Sequence, residues 1–223
     1  METAFNIRRR IEQVRKEIPE HVEILGAAKT RSMEDVRAAY EAGLKYFGHN
    51  YVQEAQAMIP GLEIDAKWHL IGHLQRNKAR FAVELFDMVE SLDSMRLARE
   101  LEKRCSELEK KMPVLIEVNS GREENKTGIM PEEGVLLAEW LSGQKYLHLA
   151  GLMTMGPLTG DPEFARPFYK ETRRLFEEIE RQKFPNTDMK VLSMGMSNSY
   201  KVAVEEGANL VRLGTLIFGP RET

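Results

Sequence analysis

The 223-residue chain is 42% hydrophobic and 30% charged, with a net charge of −3, which is the composition of a globular protein. The near balance of charge argues against a nucleic-acid or anionic-membrane partner, since both favour a basic excess. The single cysteine, Cys105, excludes an intrachain disulfide, and no run of about 18 apolar residues predicts a membrane span. We therefore expect a cytoplasmic protein.

Short apolar runs alternate with longer amphipathic stretches along the chain. A first helix is predicted from Ala4 to Glu17. The strand candidates that follow are residues 22–28, 45–48, 66–72, 87–92, 113–119, 147–154, 189–195 and 209–214. The helix candidates between them are residues 32–42, a stretch from about 52, 77–84, 94–111, 131–141, 162–182 and 198–206. Ser32, with Asp35 three residues on, resembles a capping box in which Asp takes the place of Glu.

Strands that alternate with helices predict a parallel sheet. We expect a single domain over residues 1–223, an α/β fold of the (β/α)8 TIM barrel type with an extra N-terminal helix. An open, doubly wound sheet is the alternative, because the apolar pattern does not report whether a sheet closes on itself.

Functional groups of such barrels lie at the carboxyl ends of the strands. Lys29 directly follows the first strand candidate, VEILGAA, and precedes the helix cap at Ser32. Partial desolvation at the barrel mouth favours the free amine, which is the form that attacks an aldehyde. The alternative for Lys29 is an ordinary solvated lysine at a strand end.

The last two strand candidates end in groups that suit a phosphate. Ser197 follows the seventh strand at a helix start, and Gly214 and Thr215 follow the eighth, which is the usual phosphate position of a barrel. Arg212 lies within the eighth strand, where a charge needs a partner. Each feature alone also fits an ordinary helix cap or salt bridge. Together with Lys29 they favour a cofactor with an aldehyde and a phosphate tail, because strand 8 of a closed barrel lies beside strand 1.

Several segments match one family in order and spacing. They read AAKTRS (27–32), FGHNYVQEA (47–55), WHLIGHLQRNK (68–78), GLM (151–153), LSMGMSNSY (192–200) and VRLGTLIFGPR (211–221). On these segments the chain resembles the YggS/PROSC family, the pyridoxal-phosphate-binding homeostasis proteins. The resemblance implies a barrel like the N-terminal domain of alanine racemase, with pyridoxal 5′-phosphate held as a Schiff base on Lys29.

The resemblance also assigns further cofactor-binding residues. It implies phosphate contacts at Ser197, Gly214 and Thr215, an arginine near the pyridine nitrogen at Arg212, and an asparagine near the ring at Asn50. His69 and Ser193 lie in matching strand-end segments and are carried over with them. One residue departs from the family, which usually has Glu where this chain has His49. The departure puts in doubt the hydrogen bonds of that carboxylate, not cofactor binding.

The function implied by the resemblance is pyridoxal phosphate homeostasis, with no robust catalysis. We expect a monomer that exchanges the cofactor with amino acids or transfers it to apo-enzymes. Because the eighth strand candidate lies just before Thr223, we expect the second domain that alanine racemases use to be absent. A weak racemase or another lysine-dependent enzyme, and a Schiff-base aldolase acting on a phosphorylated sugar, remain as alternatives. No metal site is predicted, although His69 and His73 are four residues apart.

Overall fold

Parallel strands close into an eight-stranded barrel in the computed structural model, which describes residues 2–157 and 160–220. The strands are β1 (Glu23–Ala27), β2 (Tyr46–His49), β3 (Lys67–Leu70), β4 (Met88–Leu92), β5 (Met112–Glu117), β6 (Leu147–Met153), β7 (Thr187–Ser193) and β8 (Leu210–Leu213). The predicted TIM barrel is confirmed, and the open-sheet alternative is excluded. The predicted bounds of one domain, 1–223, include residues 1, 158–159 and 221–223, which lie outside the described residues, and the single-domain assignment stays a prediction.

Helices surround the barrel and follow the predicted order. They are α1 (Glu2–Glu17), α2 (Met33–Glu41), α3 (Val52–Leu62), α4 (Ala79–Leu85), α5 (Met95–Glu107), α6 (Gly134–Ser142), α7 (Arg166–Gln182), α8 (Tyr200–Glu205) and α9 (Thr215–Phe218). Helix α9 was not predicted, because four residues are too few for a helical period to be read. None of the helices in the described part of the chain combines the length and apolarity needed to span a bilayer.

The N-terminal helix α1 is an integral part of the fold. Its residues Ile7, Ile11 and Val14 follow helical spacing and are all buried, as is Ile18 directly after the helix. Through this face α1 packs against α2 and α9. Burial of each such side chain stabilises the fold by roughly 1.5–3 kcal/mol.

Pairing of β1 with β8 closes the barrel. The register places Leu25 opposite Arg212 and Gly26 opposite Leu213. Lys29, two residues past β1, therefore comes next to the segment that follows β8. The closed-barrel hypothesis required this proximity of Lys29 to the segment after β8.

The loop that carries Lys29 is held at its far end. The Ser32 hydroxyl accepts a hydrogen bond from the Asp35 amide (3.1 Å), and the Asp35 carboxylate accepts one from the Ser32 amide (3.4 Å). This confirms the predicted capping box at the start of α2. Arg31 donates to the Gly219 carbonyl oxygen (2.6 Å), which ties the same loop to the chain beyond α9.

Candidate functional site

A cavity of about 700 Å³ opens at the carboxyl ends of the strands. Its lining includes six predicted site residues, one in β8 and the others in the segments that follow β1, β2, β7 and β8: Arg212, Lys29, Asn50, Ser197, Gly214 and Thr215. The sequence prediction that these residues assemble at one place agrees with their positions. Their role as cofactor ligands stays a prediction.

Lys29 lies at the open mouth of the cavity and is half-buried. Its Nζ lies 5.0 Å from the ring centroid of Tyr51, within the range of a cation–π contact. Tyr51 is half exposed at the start of α3. The amine is thus positioned by an aromatic ring and remains accessible from solvent.

An anion cradle lies beside Lys29, formed by the turns after β7 and β8. The Ser197 hydroxyl oxygen accepts from the Gly214 amide (3.3 Å) and from the Leu216 amide (3.2 Å). Two backbone N–H groups that converge on one oxygen form the geometry that binds phosphate oxygens. The turn depends on Gly195, whose φ is +91° and whose added Cβ would lie 2.7 Å from the Ala203 Cβ.

A buried hydrogen-bonded row supports the floor of the cavity. Arg212 is 4% exposed and donates from Nη1 to the Ser193 hydroxyl (2.6 Å) and from Nη2 to the Thr154 carbonyl oxygen (2.7 Å). The Ser193 hydroxyl donates to Glu90 (2.6 Å). The other carboxylate oxygen of Glu90 lies 2.6 Å from His69 Nδ1. The row therefore fixes the guanidinium in one orientation.

Glu90 supplies the negative charge of this row. Burial acts to raise the pKa of Glu90, but the hydrogen bond and charge of His69, the charge of Arg212 and the Ser193 hydroxyl outweigh it, so its pKa lies below the ordinary value. His69 and Ser193 lie beneath the cavity and are absent from its lining. Their contact with the cavity runs through Arg212, and their predicted cofactor role stays a prediction.

Glu117, at the end of β5, is a second buried carboxylate, and it lines the cavity itself. It is 4% exposed. Its Oε1 accepts from the Thr127 hydroxyl (2.7 Å), whereas Oε2 is buried without a hydrogen-bond partner. Burial raises the pKa of Glu117 above its ordinary value. One oxygen of the Glu117 carboxyl group is therefore enclosed in the cavity wall without a hydrogen-bond partner.

His49, the departure from the family pattern, lies outside the Lys29 cavity. It is fully buried, with its ring stacked on Trp68 at a centroid distance of 5.7 Å. It lines a separate cavity of about 370 Å³ together with Glu54. Neither ring nitrogen has a hydrogen-bond partner, and burial lowers the pKa of His49 to about 4.

Sequence reasoning missed Glu90 and Glu117 as site residues. Each is a carboxylate within a largely apolar strand run, DMVESL for Glu90 and PVLIEVN for Glu117. A charge in a strand of a parallel barrel is buried and needs a partner, which is the signal that could have found both.

The residues present fit a phosphate-bearing aldehyde. The cavity contains a primary amine at Lys29, two converging backbone N–H groups at the Ser197 cradle and a permanent cation at Arg212. A Cβ at Gly214 would meet Ala27 at ordinary van der Waals distance, with the nearest atom 3.6 Å away.

Comparison with known proteins gives one consistent family. The model of the alanine racemase N-terminal domain family matches residues 4–222. The pyridoxal phosphate homeostasis protein of Aquifex aeolicus (strain VF5) is 42% identical over 200 residues, which are 89% of this chain and 87% of that protein. The protein of the same name from Pasteurella multocida (strain Pm70) is 36% identical over 221 residues, 97% of this chain and 94% of that protein.

Solved structures agree with the sequence relatives. PipY of Synechococcus elongatus PCC7942, solved with PLP bound, matches with a TM-score of 0.87 and 34% identity, covering 96% of this chain and 100% of that chain. The alanine racemase of Clostridium difficile 630 matches with a TM-score of 0.81 and 16% identity, covering 98% of this chain but 56% of the racemase. The racemase match concerns the fold alone.

Proposed function

Because this chain belongs to the family of the alanine racemase N-terminal domain, we propose that it binds pyridoxal 5′-phosphate and acts in the homeostasis of this cofactor, without robust catalysis. One observation carries the proposal: Lys29 and the anion cradle at Ser197 line the same cavity. Relatives at 36–42% identity that are named pyridoxal phosphate homeostasis proteins support it, as does the PLP-bound structure of PipY.

Lys29 is the residue that would hold the cofactor covalently. When bound, pyridoxal phosphate supplies an aldehyde carbon that reacts reversibly with primary amines. The Lys29 amine is half-buried beside the Tyr51 ring, so it has access to an incoming aldehyde and a fixed position from which to attack. The same exposure supports exchange with other amines, including amino acids, and transfer to apo-enzymes.

The Ser197 cradle would hold the phosphate. The Gly214 and Leu216 amides donate toward one point, now the Ser197 hydroxyl oxygen, and Thr215 adds a hydroxyl on the same turn. Backbone donors lose little conformational entropy when a ligand binds, so such a cradle suits tight retention of an anion.

Arg212 would face the cofactor ring. Its guanidinium is a permanent cation and therefore opposes protonation of a ring nitrogen beside it. A ring that stays unprotonated withdraws electrons less well, which disfavours carbanion chemistry on a bound amino acid. This charge fits a cofactor-holding role, but the arginine alone does not decide between holding and turnover.

The decisive experiment traps the covalent bond. The purified protein is mixed with pyridoxal phosphate, reduced with borohydride and digested, and the labelled peptide is identified by mass spectrometry. We expect the label on Lys29, and its loss in Lys29→Ala. The matched control is Lys45→Ala, since Lys45 is exposed at the opposite end of β2. A label that persists in Lys29→Ala would overturn the assignment.

Two further measurements test the rest of the proposal. Ser197→Ala should weaken retention of pyridoxal phosphate by roughly tenfold, as one lost hydrogen bond to a charged group predicts, and leave retention of unphosphorylated pyridoxal unchanged. Equal weakening of both ligands would argue against the cradle.

Turnover of an amino acid at ordinary enzymatic rates would contradict the homeostasis role and favour the racemase alternative. The monomeric state and the cytoplasmic location stay predictions, which sedimentation and fractionation would test.

A further inference from the structure

Lys29 lies in a tight turn that fixes its backbone. The Arg31 amide donates to the Ala28 carbonyl oxygen (3.0 Å), and Lys29 and Thr30 are the two central residues of this turn. Thr30 has a φ of +60°, a left-handed conformation that is unfavourable for a β-branched side chain. Such a conformation persists only where the surrounding structure holds it in place. The position of Arg31 is therefore closely tied to that of Lys29.

The Arg31 side chain reaches the far end of α9. Its Nη2 donates to the Gly219 carbonyl oxygen (2.6 Å), and its Nη1 donates to the Pro220 carbonyl oxygen (3.2 Å). The guanidinium carbon lies 5.6 Å from the centroid of the Phe218 ring. One planar group thus holds two successive carbonyl oxygens and lies over an aromatic ring, a combination that a guanidinium suits better than an ammonium group does.

Helix α9 carries this contact back to the phosphate cradle. The Gly219 amide donates to the Thr215 carbonyl oxygen (2.9 Å), at the other end of α9. Thr215 directly follows Gly214, whose amide is one of the two cradle donors. A continuous path of hydrogen bonds and short backbone segments therefore joins the Lys29 turn, through Arg31 and α9, to the cradle.

The cradle has supports other than Arg31. The Ser197 hydroxyl holds both cradle amides, at 3.2 and 3.3 Å. Helix α1 packs against α9, and Arg10 of α1 donates to the Ile217 carbonyl oxygen (3.4 Å). These contacts come from other parts of the barrel. Removal of the Arg31 side chain should therefore leave the cradle formed and loosen its position relative to Lys29.

We infer that Arg31 is a positioning residue that sets the separation between the phosphate cradle and Lys29, so that a phosphate held in the cradle directs the attached aldehyde onto the amine. The inference deepens the proposed function and rests on it, because it concerns the same cavity and the same covalent bond. A fixed relation between two reacting groups accelerates the bond between them. Arg31 should therefore matter for a phosphorylated aldehyde and not for an unphosphorylated one.

The test compares the rates at which pyridoxal phosphate and unphosphorylated pyridoxal label Lys29 in the cofactor-free protein, with borohydride added at set times. We expect the wild type to prefer the phosphorylated aldehyde. Arg31→Ala should reduce this preference by about tenfold, as the loss of two hydrogen bonds predicts, and change labelling by pyridoxal less than about twofold. Ser197→Ala should lower the preference strongly in the wild type but by about twofold or less in Arg31→Ala, because coupled residues are not additive.

The matched control is Arg37→Ala, because Arg37 is exposed on α2 and does not line the cavity. This variant removes the same charge and should keep the wild-type preference. Arg31→Met keeps an unbranched stem beside Phe218 and removes both donors, so it serves in place of Arg31→Ala if that variant folds poorly. A wild-type preference in a folded Arg31 variant would overturn the inference. Equal labelling rates for the two aldehydes in the wild type would overturn it with no variant needed.

Binding of inorganic phosphate to the cofactor-free protein, measured by titration calorimetry, separates positioning from direct contact, since Arg31 also lines the cavity. We expect the affinities of the wild type and Arg31→Ala to agree within about twofold, because the cradle keeps its other supports. A roughly tenfold weaker affinity in Arg31→Ala would assign Arg31 to the phosphate site itself and overturn the positioning role.

The outcomes also separate the inference from the proposed function. Label on Lys29 in the wild type, with an unchanged preference in Arg31→Ala, would refute the role of Arg31 alone. Absence of label on Lys29 in the wild type would refute the proposed function itself.

Discussion

Mild acidification should destabilise this protein through the buried side chain of His49. The side chain is fully buried, and neither ring nitrogen has a hydrogen-bond partner. Burial lowers the pKa of His49 from 6.5 to about 4. Between these two values the unfolded chain binds a proton at this side chain that the folded protein does not bind. Stability must therefore fall as the pH falls through this window.

The size of the effect follows from the two pKa values. At about pH 5 His49 is largely protonated in the unfolded chain and largely neutral in the fold, which removes about 2 kcal/mol of stability relative to neutral pH. Below the folded-state pKa the loss levels off at about 3 kcal/mol. Marginally stable domains have only about 5–15 kcal/mol of stability in total, so the change is readily measured.

Urea unfolding of the wild type and of His49→Gln, at neutral pH and near pH 5, isolates this contribution. The substitution itself shifts stability at both pH values, but only the difference between them reports titration. We expect the variant to lose about 2 kcal/mol less than the wild type on acidification. The control is His21→Gln, since His21 is exposed. Equal pH sensitivity of wild type and His49→Gln would refute the reasoning.

Three further substitutions test the fold around the site by urea unfolding. Glu90→Ala removes the carboxylate that faces His69 and Arg212, and should lower the free energy of unfolding by about 3–5 kcal/mol. A decrease below about 1 kcal/mol would contradict a stabilising role for these buried interactions. Gly151→Ala should cost at least about 3 kcal/mol or abolish soluble expression, because the φ of +149° is strained for alanine and its Cβ would lie 1.8 Å from the Val191 carbonyl oxygen. Normal expression and stability would refute that clash. Ser32→Ala should lower the free energy of unfolding by about 1 kcal/mol. An unchanged midpoint of urea unfolding would show that the Ser32 cap does not stabilise the fold.

The sequence by itself determined the elements and much of the site. Each strand candidate became a strand within a few residues, since apolar runs flanked by amphipathic helices have few other ways to bury themselves in a parallel sheet. The Ser32–Asp35 capping box is a local interaction, so spacing was enough to predict it. Lys29 and Arg212 were predictable because position along a barrel strand decides which end a residue occupies.

Only the tertiary structure decided how these parts meet. Closure depends on pairing of β1 with β8, whose residues Leu25 and Arg212 are far apart in the chain, and no local pattern encodes that pairing. The sequence also did not report how deeply a residue lies: Ser193 ends β7 and Arg212 lies one residue before the end of β8, yet only Arg212 lines the cavity. Whether Glu117 Oε2 finds a hydrogen-bond partner was likewise decided by the fold. Hydrogen-bond satisfaction is a property of groups brought together by folding, so it cannot be read from residue types and spacing alone.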